Sequence, residues 1–247
     1  QEVNDIPTLC SFATGAEIES YVISKDVKQI ANYAFSGSNV NTVNIHEDIE
    51  FIPVGAFSAS KIKNVVLNDG LKQIGMHAFS STMLKEINIP NSAKQLYDYC
   101  FADNYYLESI RFGNELIEIP TGAFRNCISL ETIEIPNNIK IINNGAFEGC
   151  NKLVSIELGQ VIRIEDYTFC NNENLINIEI PKTVGYIGAY TFASCYNLKE
   201  IYCKSTIPPY LGNNAFENVE KNITIYVPNE SLELYKNNSY WKAYSSH

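Results

Sequence analysis

The chain has 247 residues, of which 45% are hydrophobic, so it can bury a core and is not a disordered polymer. It carries 18 basic against 28 acidic residues, a formal net charge of -10 with a pI of about 4.8. Such a surface repels nucleic acid and anionic membranes, because binding a phosphate backbone relies on Lys and Arg displacing counterions.

No apolar run approaches the roughly 20 residues of a membrane-spanning helix, and the first residues, Gln1 to Asp5, show no basic-then-apolar leader. The same start is what a mature secreted chain presents. Seven Cys (10, 100, 127, 150, 170, 195 and 203) contain no C-x-x-C pair, which argues against zinc ribbons and thioredoxin-like chemistry.

The dominant signal is a repeat. Ten of the twelve Phe fall in one column, spaced by 22 to 24 residues: Phe12, Phe35, Phe57, Phe79, Phe101, Phe124, Phe147, Phe169, Phe192 and Phe216. The preceding residue is usually Ala, as at Ala34, Ala123 and Ala146. An aliphatic follows each Phe by five or six residues (Val40, Ile62, Leu84, Leu130), and further apolar positions come three and then two residues later (Ile133 and Ile135, Ile178 and Ile180).

Within each unit the I-x-I element is β-branched and alternates, so it predicts a short strand. Pro90, Pro136 and Pro181 end three of these strands, because Pro cannot donate to a ladder. A second apolar pair, such as Ile139 and Ile142, precedes the next Phe. One unit of this size cannot bury its own apolar face, so the units must stack into a solenoid. Successive strands then form one long parallel sheet with about 4.8 Å between rungs, and the Phe rings form a spine between that sheet and the outer wall. Amphipathic helices are excluded, because no stretch sustains a 3.6-residue period and Pro recurs inside the units.

The pattern L-x-x-I-x-I-P-x-x-(I/V)-x-x-I-x-x-x-A-F-x-x-C-x-x-L resembles the BspA-like, or treponemal-type, leucine-rich repeats. Residues 130–150, LETIEIPNNIKIINNGAFEGC, show one unit of it, and Leu153 supplies the closing Leu. Cys100 and Thr168 depart from the Ala before Phe, and Cys203 from a strand aliphatic. The tail ITIYVPNESLELYKNNSYWKAY is similar to the segment that closes bacterial members of that family.

The resemblance implies a right-handed leucine-rich-repeat solenoid with its parallel sheet on the concave face and a short C-terminal capping helix. It also implies secretion or cell-surface display, and adhesion or matrix binding. The expected organisation is an N-terminal cap over 1–11, nine to ten repeats over 12–228, and a C-terminal cap over 229–247. In that cap Asn229 is expected to be the helix N-cap. Leu232 and Tyr235 should face the core, and Trp241 should cover the end.

Candidate sites follow from the alternation of the strands. The residue between the two inward aliphatics must face solvent. Down the stack this column reads Val22, Asn44, Val66, Asn88, Arg111, Glu134, Glu157, Glu179, Tyr202 and Tyr226. Three successive carboxylates repel one another unless something positive sits on them. The partner-binding candidates are therefore Arg111, Glu134, Glu157, Glu179, Tyr202 and Tyr226, facing a basic protein segment or a Ca²⁺ ion, against a bland alternative of hydrated surface carboxylates. Calcium wants six to eight oxygens, which a column of single Glu side chains does not supply, so no metal site is assigned.

Tyr202, Tyr210 and Tyr226 gather toward the C-terminal end, as contact residues or as shields for the last turns. Cys127, Cys150 and Cys195 share a column three residues after the spine Phe and read as small buried fillers. His46, His77 and His247 cannot converge on one metal. No nucleophile elbow, P-loop or dinucleotide fingerprint occurs, so no catalytic residue and no cofactor are expected. Asn222, Asn229 and Asn237 head N-x-S/T sequons, of consequence only in a eukaryotic source. The functional reading is a monomeric, non-enzymatic binding or adhesion module for a protein or glycan. The rival reading is a structural spacer without a ligand of its own.

Overall fold

The computed structural model describes residues 6–12, 15, 17–220 and 223–244. It is a parallel-strand solenoid of about nine turns. The long rungs are Ile18–Val22, Val40–Asn44, Asn64–Val66, Glu86–Asn88, Ser109–Arg111, Thr132–Glu134, Ser155–Glu157, Asn177–Ile180, Glu200–Cys203 and Thr224–Tyr226. They are parallel and in register, with Tyr21 beside Val43, Ile133 beside Ile156, and Ile178 beside Ile201. Their hydrogen-bonded pairings fall into four groups of two or three strands rather than one unbroken sheet.

Two further ladders run beside this one, neither expected from the sequence. The apolar pair before each Phe forms two-residue rungs: Thr8–Leu9, Gln29–Ile30, Phe51–Ile52 and so on to Tyr210–Leu211. The second residue of each points inward, as Ile52, Ile142 and Ile187 do at 0% exposure. Two residues are too few to reveal an alternating pattern in sequence. Thr8–Leu9 is already the first rung of this ladder, paired with Gln29–Ile30.

The third ladder lies in the Phe turns themselves. Each spine residue's N–H donates to the carbonyl of the residue before the next Phe, from Phe12 to Ala34 at 2.7 Å through Phe192 to Ala215 at 2.8 Å. The intervening N–H groups close local turns instead, such as Ala56 to Pro53 and Ser58 to Gly55. This alternation requires left-handed backbone two residues before and two residues after every spine Phe from Phe35 to Phe216, with φ between 53° and 72°. Gly occupies five of these eighteen positions, and residues such as Tyr33, Tyr99, Ala59 and Ser194 occupy the others. Non-glycine residues at such φ are strained by roughly 1 to 2 kcal/mol each, so tertiary context enforces this geometry.

The spine is as expected. The ten Phe rings follow one another with centroids 4.8 to 5.8 Å apart, and from Phe35 onward their planes lie within 15° of parallel. From Phe35 to Phe192 all are buried. Trp241 and Tyr244 pack on Phe216, the last ring, and the Trp241 Nε1 donates to the Pro209 carbonyl at 2.7 Å. Tyr235 is buried and donates its hydroxyl to the Ser205 carbonyl at 3.0 Å.

The tail departs from expectation at its start. Asn229–Ser231 form a 3-10 turn, the α-helix runs only over Leu232–Asn237, and the Asn229 side chain makes no capping bond. Within this helix Tyr235 is the buried anchor, while Leu232, its first residue, is 43% exposed rather than facing the core.

The Cys column has a role beyond filling space. Three residues after the spine Phe from Phe35 to Phe192 stand Ser38, Ser60, Thr82, Asn104, Cys127, Cys150, Asn172 and Cys195, all buried. Cys127, Cys150 and Cys195 donate to the carbonyls of Phe101, Phe124 and Phe169 on the preceding turn at 3.2 to 3.4 Å. Asn104 and Asn172 make the same bond to Phe79 and Phe147 at 2.8 and 3.0 Å. These Cys and Asn side chains add donors to buried spine carbonyls of the turn before, whereas Ser60 donates to the Phe57 carbonyl of its own turn and Thr82 to the Asn104 Oδ1. All seven cysteines are free thiols.

Two predictions follow from this packing. Phe124→Ala removes a fully buried ring between two stacked neighbours and should cost about 3 to 5 kcal/mol in urea-induced unfolding. A cost below 1 kcal/mol would show that the rings are not the core of the fold. In a thiol titration at pH 8, native protein should release one equivalent, from exposed Cys10, and unfolded protein seven. The thiolate is the reactive form, and burial pushes Cys150, Cys195 and Cys203 up to about 12 and Cys170 to about 11.

Candidate functional site

The predicted exposed column lies on one face of the long-rung sheet, since the flanking residues of each I-x-I element turn inward. Glu134 and Glu157 are direct in-register neighbours on that face, as are Asn88 and Arg111, Glu179 and Tyr202, and Tyr202 and Tyr226. Arg111, Glu134, Glu157 and Glu179 are all exposed, while Tyr202 is half-buried and Tyr226 is 45% exposed.

The two ends of the column differ electrostatically. Glu179 is paired within the chain, its Oε2 lying 3.2 Å from the Lys204 ammonium. That ammonium also sits 5.8 Å from the centre of the Tyr202 ring. Tyr202 and Tyr226 stack at 4.7 Å with planes 7° apart, and both hydroxyls donate to the Glu200 carboxylate, at 3.0 and 3.4 Å. The bond to Glu200, first among the causes, raises the Tyr202 pKa. This end is a pre-ordered aromatic platform with its rotamers held by a carboxylate clamp. Among the described residues, by contrast, no cation pairs with Glu134 or Glu157, and the Arg111 guanidinium has no carboxylate partner. Glu157 and Glu179 border a shallow cleft with Gly159 and Pro181.

Tyr210 does not join Tyr202 and Tyr226. It lies on the short-rung ladder, in register with Tyr186 and stacked on it at 4.9 Å, with Tyr240 edge-on at 4.7 Å. The Arg163 guanidinium covers Tyr186 at 4.1 Å. A third set of rings occupies the left-handed position two residues before the spine Phe: His77 stacks on Tyr99 at 5.2 Å, and Tyr167 on Tyr190 at 4.9 Å. Both sets keep the 22- to 24-residue period and so were open to detection in the sequence. They escaped because only the alternating strand was followed outward.

The His46 Nε2 lies 2.9 Å from the Val27 carbonyl, and its Nδ1 accepts from the Asp48 amide at 3.3 Å, closing a turn. His247 and the Asn222 sequon lie outside the described residues. Among the described residues no group of three or more His, Cys, Asp or Glu could hold a metal ion, and no helix is long and apolar enough to cross a membrane.

Comparison with known proteins agrees with this architecture. The family model of the BspA type leucine rich repeat region matches in six copies, over residues 8–131 and 117–245. No curated protein matches the chain. Among solved structures, a leucine-rich repeat protein from Bacteroides ovatus superposes with a TM-score of 0.78 at 24% identity, over 86% of this chain and 61% of that one. This chain thus spans less than two thirds of that relative.

A Treponema pallidum leucine-rich repeat protein superposes at TM-score 0.56 with 23% identity, covering 77% of this chain and 82% of its own. The pneumococcal vaccine antigen PcpA superposes at 0.59 with 19% identity, over 90% and 75%. At these identities the likeness concerns the fold. Leucine-rich-repeat solenoids typically serve as binding scaffolds rather than as enzymes. The chain belongs to the BspA-type leucine-rich-repeat family.

Proposed function

We propose that the protein is an extracellular or cell-surface binding module that captures a protein or glycan partner on the exposed face of its long-rung sheet. The contact residues are Arg111, Glu134, Glu157, Glu179, Tyr202 and Tyr226. The observation that carries this reading is the contrast within one column. Glu179 has Lys204 on it, whereas Glu134 and Glu157, neighbours on adjacent rungs, have no cation. Two stacked carboxylates repel each other, and a Lys- or Arg-bearing segment from outside would relieve that repulsion.

The Tyr202–Tyr226 platform, already stacked and clamped by Glu200, offers a rigid aromatic anchor two rungs from the acidic pair. Aromatic anchors of this type dominate interface energetics, and their pre-ordering reduces the entropy lost on binding. Surface display is supported by the company of the fold. A Faecalibacterium prausnitzii relative of 20% identity is described as a leucine rich cell surface protein.

The test is a surface-plasmon screen of extracellular-matrix proteins, lysine-rich peptides and glycans, each with and without Ca²⁺. A basic ligand should bind with strong salt dependence. The double variant Glu134→Lys/Glu157→Lys should weaken it by about tenfold or more, with an unchanged unfolding midpoint. Tyr226→Ala should weaken it without changing the salt dependence. Binding indifferent to the double variant, or the absence of any ligand from the screen, would overturn the proposal in favour of a spacer.

A further inference from the structure

The last of the long rungs, Thr224–Tyr226, is paired only with Glu200–Cys203 and has no strand beyond it among the described residues. A fixed polarity runs through this ladder. Amides of inward residues donate forward, Ile23 to the Asn44 carbonyl at 3.2 Å, Ile89 to Arg111 at 2.9 Å and Ile135 to Glu157 at 2.7 Å. Outward residues point backward, as the Thr224 amide does to the Lys199 carbonyl at 2.7 Å. The N–H and C=O of one strand residue point the same way. Ile225 and Val227, the inward residues of the last rung, therefore aim both groups forward, into the place that a further rung would take.

The tail leaves that place open. Trp241 and Tyr244 lie on Phe216, and Tyr240 lies edge-on against Tyr210, so the tail stands where the next Phe turn and short rung would be. A second solenoid end cannot stack there, because its own Phe turn would collide with these rings. What remains is the width of one strand. Between the last rung and the tail runs a cleft of about 80 Å³, with Ile225 and Val227 on one side and Leu232, Tyr235, Trp241 and Tyr244 on the other. The corresponding inward residues from Ile133 to Cys203 are all buried, whereas Ile225 and Val227 are only partly so. The exposed Leu232 belongs to this rim.

Backbone and cleft together select the occupant. A row of forward-pointing strand groups is matched by another extended backbone, the mode of β-strand addition. Sheets commonly guard a free edge with Lys or Pro, yet residues 223–227, ITIYV, carry neither a charge nor a Pro. A strand laid along this edge turns alternate side chains inward, toward the cleft. An apolar cavity of roughly 150 Å³ takes a benzene ring, so the smaller volume here suits one aliphatic side chain of about three to four carbons. A basic side chain would instead meet Lys236, which also lines the cleft.

We infer that the forward edge of Thr224–Tyr226 binds an extended segment of a partner protein, added as one more parallel strand with an Ile, Leu or Val seated in the cleft between the last rung and the tail. This site lies at the end of the solenoid and not on the exposed face of the acidic column, so the two stand or fall separately.

The test is fluorescence anisotropy of the full chain with a labelled peptide copied from one of its own rungs, residues 175–183, LINIEIPKT. The peptide should bind saturably, with a dissociation constant of about 100 μM or tighter. In the polarity of the ladder its Asn177 and Glu179 amides face the edge, and its Ile178 and Ile180 amides face away. N-methylation at Asn177 and Glu179 should therefore weaken binding by about tenfold or more, and N-methylation at Ile178 and Ile180 should not. Ile178→Lys in the peptide should weaken it comparably. In the protein, Leu232→Lys should weaken binding with an unchanged unfolding midpoint, and Glu134→Lys/Glu157→Lys should leave it intact. Absence of saturable binding, equal loss with both methylation patterns, or indifference to Leu232→Lys would overturn the proposal. So would sedimentation showing self-association that Ile225→Pro abolishes, which would give the edge to a second copy.

Discussion

The fold depends on one ring per turn. A single 22- to 24-residue unit cannot enclose its own apolar residues, and the stacked phenylalanines are what makes neighbouring units close each other's core. The centroids sit 4.8 to 5.8 Å apart, which falls both in the range of offset-stacked rings and at or slightly above the rise of a parallel ladder, about 4.8 Å. Aromatic stacking and backbone hydrogen bonding therefore ask for the same translation. Neither has to be strained to satisfy the other.

That shared translation dictates how the outer wall is built. The Phe turns could not follow a helix or strand and still place every ring on the axis. They adopt an alternating conformation in which every second N–H reaches the next turn and the rest close locally. The cost is left-handed backbone at residues as unsuited to it as Tyr and Ala. The gain is that a wall without regular strands still satisfies its buried amides. The Ser, Thr, Asn and Cys column serves the same need from the side chain. It explains why a thiol and an amide can exchange at one site: each is small, and each donates to the spine carbonyl of the turn before, while Ser60 donates to the Phe57 carbonyl of its own turn.

A strict axial repeat also governs the surface. Any residue type that recurs in a column becomes a stack, whether it is useful or repulsive. Tyrosines become aromatic platforms, as at Tyr202–Tyr226 and Tyr186–Tyr210. Glutamates become rows of like charge, relieved at Glu179 by Lys204 and left open at Glu134 and Glu157.

The sequence by itself determined the repeat length, the Phe spine, the inward strand aliphatics and the solvent-facing column from Val22 to Tyr226. Each of these follows from a period long enough to count and an alternation long enough to read. Tertiary structure alone decided the two-residue ladder, too short to show a pattern, and the Phe-turn ladder, whose left-handed positions are only partly marked in residue type, by Gly, Asn or Asp at ten of eighteen and by Tyr, Ala, Ser or His at the rest. It also decided the late start of the tail helix, the exposure of Leu232 at its first position, and the parting of Tyr210 from Tyr202 and Tyr226 onto different ladders. Whether a glutamate in the column is neutralised depends on where Lys204 can reach. That is a matter of through-space distance, which spacing along the chain does not encode.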